Sequence, residues 1–324
     1  MLNKTTRSDL RRIVSDYLGM TAALVLLCVI FGLTARNFLT VITFRTIANQ
    51  VPDITIVAVG MTFVLIIAGI DLSVGSVLAL SGAVLGVCMV NFHLPLSISL
   101  AACCVTGLIC GTLNGLVSIK WKLPSFIVTL GMLEAARGAA YMVTDSRTLY
   151  IGESIEVIAD TSLLGLSVPF ILAVLVVIAG QCLLSLTVFG RYAVAIGSNQ
   201  EAVRLSGINP HPIKLAVFCM CGLLTAVAAV IHTARLSSAN PNAGIGLELQ
   251  AIAAVVIGGT SLMGGRGSVV SSFFGVLIIA VLGTGLAQVG AQEPTKRLIT
   301  GCVIVTAVIL DYYRHRFSKK SKSL

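Results

Sequence analysis

Long hydrophobic stretches separated by short polar segments recur along the chain. Runs of roughly 18 to 25 apolar residues follow one another from Tyr17 to Asp311, the length at which a helix crosses about 30 Å of hydrocarbon. The pattern predicts an all-α integral membrane protein with about ten transmembrane helices. The predicted spans cover residues 17–35, 50–69, 72–92, 94–119, 124–143, 168–189, 212–233, 249–263, 267–290 and 296–312.

The overall composition excludes a soluble globular protein. Of the 324 residues, 56% are hydrophobic and 11% are charged, whereas soluble domains carry about 25% charged residues. The first apolar stretch follows a basic N-terminus, as in a signal peptide, but it is too long for the apolar region of one and lacks a small-residue cleavage site. We therefore predict that it stays in the protein as the first span.

The net charge of +9 is divided between the two predicted sides of the membrane. With the N-terminus inside, fifteen Lys and Arg fall in segments predicted to be cytoplasmic and six in segments predicted to be outside. This asymmetry follows the positive-inside rule and predicts that both termini are cytoplasmic. The predicted domains are a tail of residues 1–16, a membrane domain of residues 17–312 and a basic tail of residues 313–324. The basic residues form no continuous stripe, which argues against nucleic-acid binding.

Signatures of catalysis or metal binding are absent from the sequence. The nine cysteines lie within apolar stretches without metal-type spacing, and we interpret them as small packing residues. The glycine-rich stretch GTSLMGGRGS lacks the lysine with which a phosphate-binding loop reaches the phosphates of ATP. No zinc-ligand spacing or nucleophile–base signature occurs either. The sequence therefore predicts neither an enzyme nor an ATPase in this chain, and no metal site.

Small residues repeat every fourth position in two predicted spans. Gly107, Gly111 and Gly115 form a smooth strip on one helix face, and Gly82 and Gly86 repeat the spacing one span earlier. Such strips let a neighbouring helix backbone approach closely. We favour helix packing within the chain over a dimer interface as their role.

Glycines interrupt the apolar pattern at residues 68–76, AGIDLSVGS, and again at residues 257–268, IGGTSLMGGRGS. Paired interruptions of this kind serve internally repeated transporters as hinges, broken helices and pathway linings. Asp71 is compatible both with a hinge or pathway role and with capping the following helix. Whether the two stretches form an internal repeat stays open. The candidate pathway or hinge residues are Gly69, Asp71, Ser73, Gly75, Gly258, Gly259, Gly264 and Gly265.

Two opposite charges lie inside the fifth predicted span. Glu134 and Arg137 are three residues apart and so share one helix face. An isolated charge within a span costs roughly 2.5 to 3.5 kcal/mol on insertion scales. We therefore predict a structural ion pair between them, in preference to contact with a substrate.

A compact polar helix is predicted between the sixth and seventh spans, within residues 190–208. Ser198 and Glu201 have the spacing of a capping box, so a helix should begin there. Gly207 can adopt the left-handed conformation that ends a helix, and Pro210 prevents its continuation. A short rigid helix on the cytoplasmic face can transmit a push from a soluble partner into the membrane domain.

Several ordered stretches carry a resemblance to a known family, over nearly the whole chain. They read VAVGMTFVLIIAGIDLSVGS, LPSFIVTLGM with ARGAAYMVT, FGRYAVAIGSNQEAVRLSGI, ARLSSANPNAGIGLELQAIAAVVIGGTSLMGGRGSVVSSFFGVLI and ILDYYRHR. The chain resembles the permease subunits of bacterial ABC monosaccharide importers, in the ribose-type group that also serves arabinose, xylose and allose.

This resemblance implies a homodimeric permease with the type II importer arrangement of about ten helices, in the bacterial inner membrane. It implies a cytoplasmic ATPase, which would bind ATP and Mg²⁺, and a periplasmic sugar-binding protein as partners, with no cofactor in this chain. It also implies that the helix within residues 190–208 enters a groove of the ATPase. The implied ATPase-coupling residues are Gly197, Asn199, Glu201, Ala202, Arg204, Leu205 and Gly207.

The expected function is therefore ATP-driven import of a monosaccharide, with ribose as the first candidate. One alternative is a permease for branched-chain amino acids or nucleosides, which shares the broad architecture. An ion-coupled secondary transporter is a further alternative, but it would need several carboxylates or an ion relay within the membrane. An integral membrane enzyme is the remaining one.

Overall fold

A computed structural model describes residues 4–163 and 165–320, so the ends of both predicted tails lie outside the described residues. The described chain is almost entirely helical. Its helices are α1 Lys4–Thr34, α2 Val41–Gln50, α3 Pro52–Ile66, α4 Val74–Val90, α5 Leu96–Lys120, α6 Ser125–Val143, α7 Glu153–Asp160, α8 Val168–Leu186, α9 Val188–Leu205, α10 His211–Leu236, α11 Leu247–Ile257, α12 Val269–Gln288 and α13 Glu293–Lys320.

Four two-residue strands complete the described structure. β1 Leu149–Tyr150 pairs antiparallel with β4 Ser238–Ala239, and β2 Ser162–Leu163 pairs antiparallel with β3 Leu166–Ser167. The first pair ties the segment after α6 to the end of α10. The second closes a hairpin directly before α8.

Five of the described helices are long and apolar enough to cross a membrane, namely α5, α6, α8, α10 and α12. A sixth candidate is the pair α2 and α3, which is bent by 48°. The apolar part of α1, α4 and α11 are shorter. The prediction of a multi-pass helical membrane protein is confirmed, while the count of ten spans stays a prediction.

The predicted span at residues 249–263 is wrong in its length. The helix there, α11, ends at Ile257, and its eleven residues extend only about 17 Å. Gly258 caps it, and Gly259 takes a φ of +82°, a left-handed conformation that ends a helix. The helix therefore ends where the predicted glycine interruption at residues 257–268 begins, and not at residue 263.

The centre of the described structure is α3, which is buried on all sides except at Ile54. A helix that is apolar all round is expected to lie inside a bundle. Helices α8, α10, α11 and α12 surround it. The two ends of α3 therefore lie where several other elements meet.

The glycine strip of α5 packs within the chain, as predicted. A Cβ on Gly107 or Gly111 would overlap the carbonyl oxygens of Gly222 and Phe218 on α10, and one on Gly115 would lie 2.9 Å from a side chain of α10. The glycines of α4 also face neighbours within the chain, on α10 and β4. Removing the side chains lets these backbones touch directly.

Candidate coupling and translocation site

Helix α9 contains the predicted coupling segment and bends within it. Asn199 has φ −162° and ψ 96°, which breaks the helix in two. The Asn199 side-chain oxygen accepts a hydrogen bond from the Ala202 backbone N–H at 2.9 Å, so Asn199 is the N-cap of the second part. The capping box predicted to begin at Ser198 is wrong by one residue. The Ser198 hydroxyl is still in the preceding turn and donates to the Val194 carbonyl.

The end of this helix is as predicted. Gly207 has φ +80°, and its N–H donates to the Arg204 carbonyl at 3.0 Å. The Ile208 N–H donates to the Val203 carbonyl at 3.3 Å. These bonds satisfy carbonyls that the end of a helix would otherwise leave unpaired.

The short helix after the bend presents its polar side outward. Arg204 donates to Glu201 at 2.7 Å, which raises the pKa of the Arg204 guanidinium. Both side chains stay largely exposed, and Ala202 and Leu205 are exposed beside them, while Val203 is buried. Exposed ion pairs contribute little to folding. Glu201 and Arg204 are therefore free to contact another protein without a loss of fold.

The bend of α9 presses against two other parts of the chain. A Cβ on Gly197 would overlap the carbonyl oxygen of Ile66, at the end of α3, and would lie 2.5 Å from the backbone nitrogen of Gly265. The Gly265 N–H donates to that Ile66 carbonyl at 2.8 Å. A Cβ on Gly264 would lie 2.9 Å from both the Ala68 backbone nitrogen and the Gly197 carbonyl oxygen. We call Ile66, Gly197, Gly264 and Gly265 the glycine junction.

The junction unites residues that the sequence places in separate groups. Gly197 belongs to the predicted coupling set, whereas Gly264 and Gly265 belong to the predicted hinge set. Two other predicted hinge residues stay apart from it. Gly258 packs against the Ser271 backbone on α12, and Gly259 forms the exposed turn after α11.

The break between α3 and α4 is held by side chains from α5 and within the break itself. Asp71 is buried, and its Oδ1 accepts from the Ser73 backbone N–H at 2.9 Å and from the Ser73 hydroxyl at 2.6 Å. The Asn114 amide donates to the same hydroxyl at 2.9 Å. Asp71 thus shapes the turn that leads into α4, and it does not bond the first N–H groups of that helix. Gly69 closes the end of α3 by donating to the Val64 carbonyl.

Helix α6 holds the backbone of the same break. The Ser125 hydroxyl accepts from the Ile70 N–H at 2.9 Å, and the Thr129 hydroxyl accepts from the Leu72 N–H at 3.0 Å. Thr129 also donates to the Ile70 carbonyl. These bonds replace the backbone hydrogen bonds that are lost where the helix is broken. Backbone polar groups inside a membrane need such partners, because no water is available there.

A second non-helical segment, residues 240–246, runs from β4 to α11 and meets the first break. A Cβ on Gly75, at the start of α4, would overlap the carbonyl oxygen of Gly244 and the Glu248 carboxylate. The starts of α4 and α11 therefore touch. The glycine pattern of the sequence pairs the first break with residues 257–268, so this segment was not predicted. The sequence NPNAGIG at 240–246 is the signal that could have revealed it, because Pro and Gly interrupt helices.

The predicted ion pair between Glu134 and Arg137 is wrong. Within the described residues, no salt bridge joins them, and Arg137 donates to the carbonyls of Pro241 at 2.5 Å and Ala243 at 2.8 Å. The non-helical segment offers free carbonyls, and a guanidinium binds two of them at once. Glu134 lies exposed on the surface of α6.

One cluster of charges lies outside the predicted site. Both His232 and Arg235, on the last turns of α10, bind the Asp53 carboxylate at 2.9 Å. Arg235 also donates to the carbonyls of Asn49 and Gln50, at the end of α2. The cluster fixes the bend between α2 and α3 to α10. Its members are far apart in sequence, so local spacing gave no signal for it.

Known proteins similar to this chain are membrane permeases. The family model described as the permease component of branched-chain amino acid transport systems matches residues 43–308. The ribose import permease protein RbsC of Haemophilus influenzae is 38% identical, over 97% of this chain and 98% of that protein. RbsC of Bacillus subtilis is 39% identical, over 92% and 93% respectively. The xylose transport system permease protein XylH of Escherichia coli is 32% identical, over 94% and 93%. No solved structure matches the chain.

The family model takes its description from amino-acid transport, yet these relatives are sugar permeases. The alternative of an amino-acid permease is therefore not favoured. The described helices are those of a multi-pass membrane protein, and the family is one of transport subunits rather than of enzymes. The chain belongs to the family of ABC importer permeases, in its ribose-type group of monosaccharide permeases.

Proposed function

We propose that this chain is the membrane subunit of a homodimeric importer that carries a monosaccharide from the periplasm into the cytoplasm. Ribose is the first candidate, because relatives that match nearly the whole chain are ribose import permeases. A periplasmic binding protein delivers the sugar, and a separate cytoplasmic ATPase, with its own ATP and Mg²⁺, supplies the energy. The chain crosses the bacterial inner membrane ten times, with both termini in the cytoplasm, and the bend of α9 faces the ATPase.

The glycine junction is the observation that carries this proposal. The exposed pair Glu201 and Arg204 begins only a few residues after the Gly197 backbone, which touches both the end of α3 and the loop before α12. Backbone atoms in direct contact have no flexible side chain between them that could absorb a displacement. A push on the short helix is therefore passed on to α3 and α12 together. Because α3 is the central helix, its movement changes access to the interior of the bundle.

The experiment is sugar uptake by liposomes that contain this chain with its ATPase and binding protein. We expect ATP-dependent uptake of D-ribose, and we expect that Glu201→Lys abolishes it without changing insertion into the membrane. The matched control is Glu293→Lys on α13, since Glu293 is as exposed as Glu201 and pairs with basic residues of its own helix. Uptake by the chain alone on a proton gradient would contradict the proposal.

A further inference from the structure

Helix α6 is the least covered of the five span helices. Only 17% of its most apolar stretch is buried, against 28% to 56% for the other four. The covered side includes Thr129, Ala136 and Ala140. The opposite side faces out of the protomer. The exposed Ile127 lies on it, followed by Gly131, Glu134, Gly138 and Tyr141, which helical spacing places along one strip. We call these last four residues the α6 face.

The charge of Glu134 argues against lipid contact at the middle of the α6 face. Glu134 is the tenth of the nineteen residues of α6 and is exposed, and within the described residues no basic side chain lies within salt-bridge distance of it, although the charge of Arg137 is near enough to interact with it. A charge in the middle of a span costs roughly 2.5 to 3.5 kcal/mol against hydrocarbon. Either end of the helix lies about 13 Å away, too far for this short side chain to reach. Water or another protein around Glu134 would remove this cost.

Further polar groups adjoin Glu134 and are already fixed in place. Arg137 is held by the carbonyls of Pro241 and Ala243, and the Tyr141 hydroxyl donates to the side-chain oxygen of Asn242. A guanidinium has five N–H donors, so Arg137 keeps some for a ligand, and the Glu134 carboxylate only accepts. Fixed donors next to a carboxylate acceptor suit a neutral ligand with several hydroxyl groups.

The α6 face also leaves space. A Cβ on Gly131 or Gly138 would meet nothing within 4 Å. These glycines lie one turn before and one turn after Glu134, so no protein atom of the described residues crowds the helix surface on either side of the carboxylate. We propose that the α6 face forms one wall of the translocation pathway, where Glu134 and Arg137 bind the hydroxyl groups of the passing sugar. The same face of a second copy forms the opposite wall. This inference rests on the proposed function.

The test is the reaction of introduced cysteines with a charged, membrane-impermeant methanethiosulfonate reagent, in liposomes that contain the whole importer. The exposed native Cys182 and Cys302 are first replaced by serine. Gly138→Cys places a thiol on the α6 face, and Leu175→Cys places one on an exposed apolar site of α8 as the lipid-facing control. We expect fast reaction at Gly138→Cys, slowed by D-ribose, and little reaction at Leu175→Cys.

The other outcomes overturn the inference in different ways. No reaction at Gly138→Cys, with ATP-driven uptake intact, would place this face in lipid. A spontaneous disulfide between two Gly138→Cys copies, again without reaction, would mean that the faces pack directly together. If the importer with Gly138→Cys does not assemble, the same test is made with Gly131→Cys. Absence of ATP-driven D-ribose uptake in the unmodified importer would count against the proposed function instead.

A second measurement separates sugar binding from structure. Glu134→Gln keeps the size of the side chain and removes its charge. We expect D-ribose uptake per ATP hydrolysed, at saturating D-ribose, to fall about tenfold, equivalent to 1.4 kcal/mol, with ATPase stimulation by the binding protein unchanged. Unchanged uptake per ATP would refute the role of Glu134 as a sugar-binding group.

Discussion

Glycine serves opposite purposes in two regions of this molecule. In the glycine junction, Gly197 and Gly265 remove side chains so that three backbone segments can touch. On the α6 face, Gly131 and Gly138 remove side chains and leave open space. The first arrangement suits the transfer of movement, and the second suits the passage of a ligand. The difference lies in the surroundings of each glycine, because the residue itself is the same.

Gly197→Ala tests the tight region and should have the largest effect. The new methyl group would overlap the Ile66 carbonyl, and the surrounding atoms are backbone that cannot turn aside. Overpacking costs typically 1–3 kcal/mol, and we expect a loss of stability at the upper end of that range. The measurement is the thermal unfolding midpoint of the purified importer, together with sugar uptake per ATP hydrolysed.

Ser198→Ala is the control for this substitution. The Ser198 hydroxyl donates to the Val194 carbonyl one turn earlier, and its oxygen adjoins Gly265. Because alanine is smaller and leaves the backbone contact in place, this substitution should change neither the stability nor the coupling. If Gly197→Ala behaves like this control, the backbone contact between α9 and α3 does not carry movement, and the comparison between the two regions fails.

Gly111→Ala tests whether a tight backbone contact elsewhere in the bundle also transmits movement. A Cβ on Gly111 would overlap the Phe218 carbonyl between α5 and α10, which are tightly packed and contain no residue of the glycine junction. We expect a loss of about 1–3 kcal/mol in stability, with normal uptake per ATP in the protein that folds. Loss of coupling in Gly111→Ala would mean that tight packing anywhere transmits movement, so the glycine junction would have no special part.

The sequence predicted the features that depend on local spacing. The hydrophobic runs gave a multi-pass helical protein, the strip on α5 gave close packing within the chain, and Gly207 gave the end of the short helix. Each of these features depends on residues that are close together in the sequence. Their spacing or position is therefore visible in the sequence itself.

The features that the sequence missed depend on backbone atoms brought from elsewhere. Arg137 bonds to carbonyls more than 100 positions away rather than to Glu134, three positions away. The glycine junction joins Ile66, Gly197 and Gly265 in the same manner. A carbonyl belongs to every residue type, so no pattern of side chains marks which one is free. The cap lies at Asn199 rather than Ser198 because both residue types cap helices well, and their adjacent positions do not select between them.

Arg137→Leu tests the correction to the predicted ion pair. Removing the guanidinium leaves two carbonyls of the non-helical segment unpaired, and hydrogen bonds to charged groups contribute about 1.5–3 kcal/mol each. We expect clearly lower yield of folded protein, and no recovery when Glu134→Leu is added. The yield of folded protein is measured by size-exclusion chromatography in detergent. Recovery in the double variant would show that the two charges form an ion pair, and Glu134 would then not line the pathway.

Gly131→Ala tests the open region and should have the smallest effect on stability. No atom lies within 4 Å of the added methyl group, and alanine favours a helix over glycine by about 0.8–1.0 kcal/mol. The unfolding midpoint of the importer should therefore stay the same or rise slightly. A fall as large as that of Gly197→Ala would mean that another surface covers Gly131 in the assembled importer. The α6 face would then be a packed interface, and glycine would serve close contact in both regions.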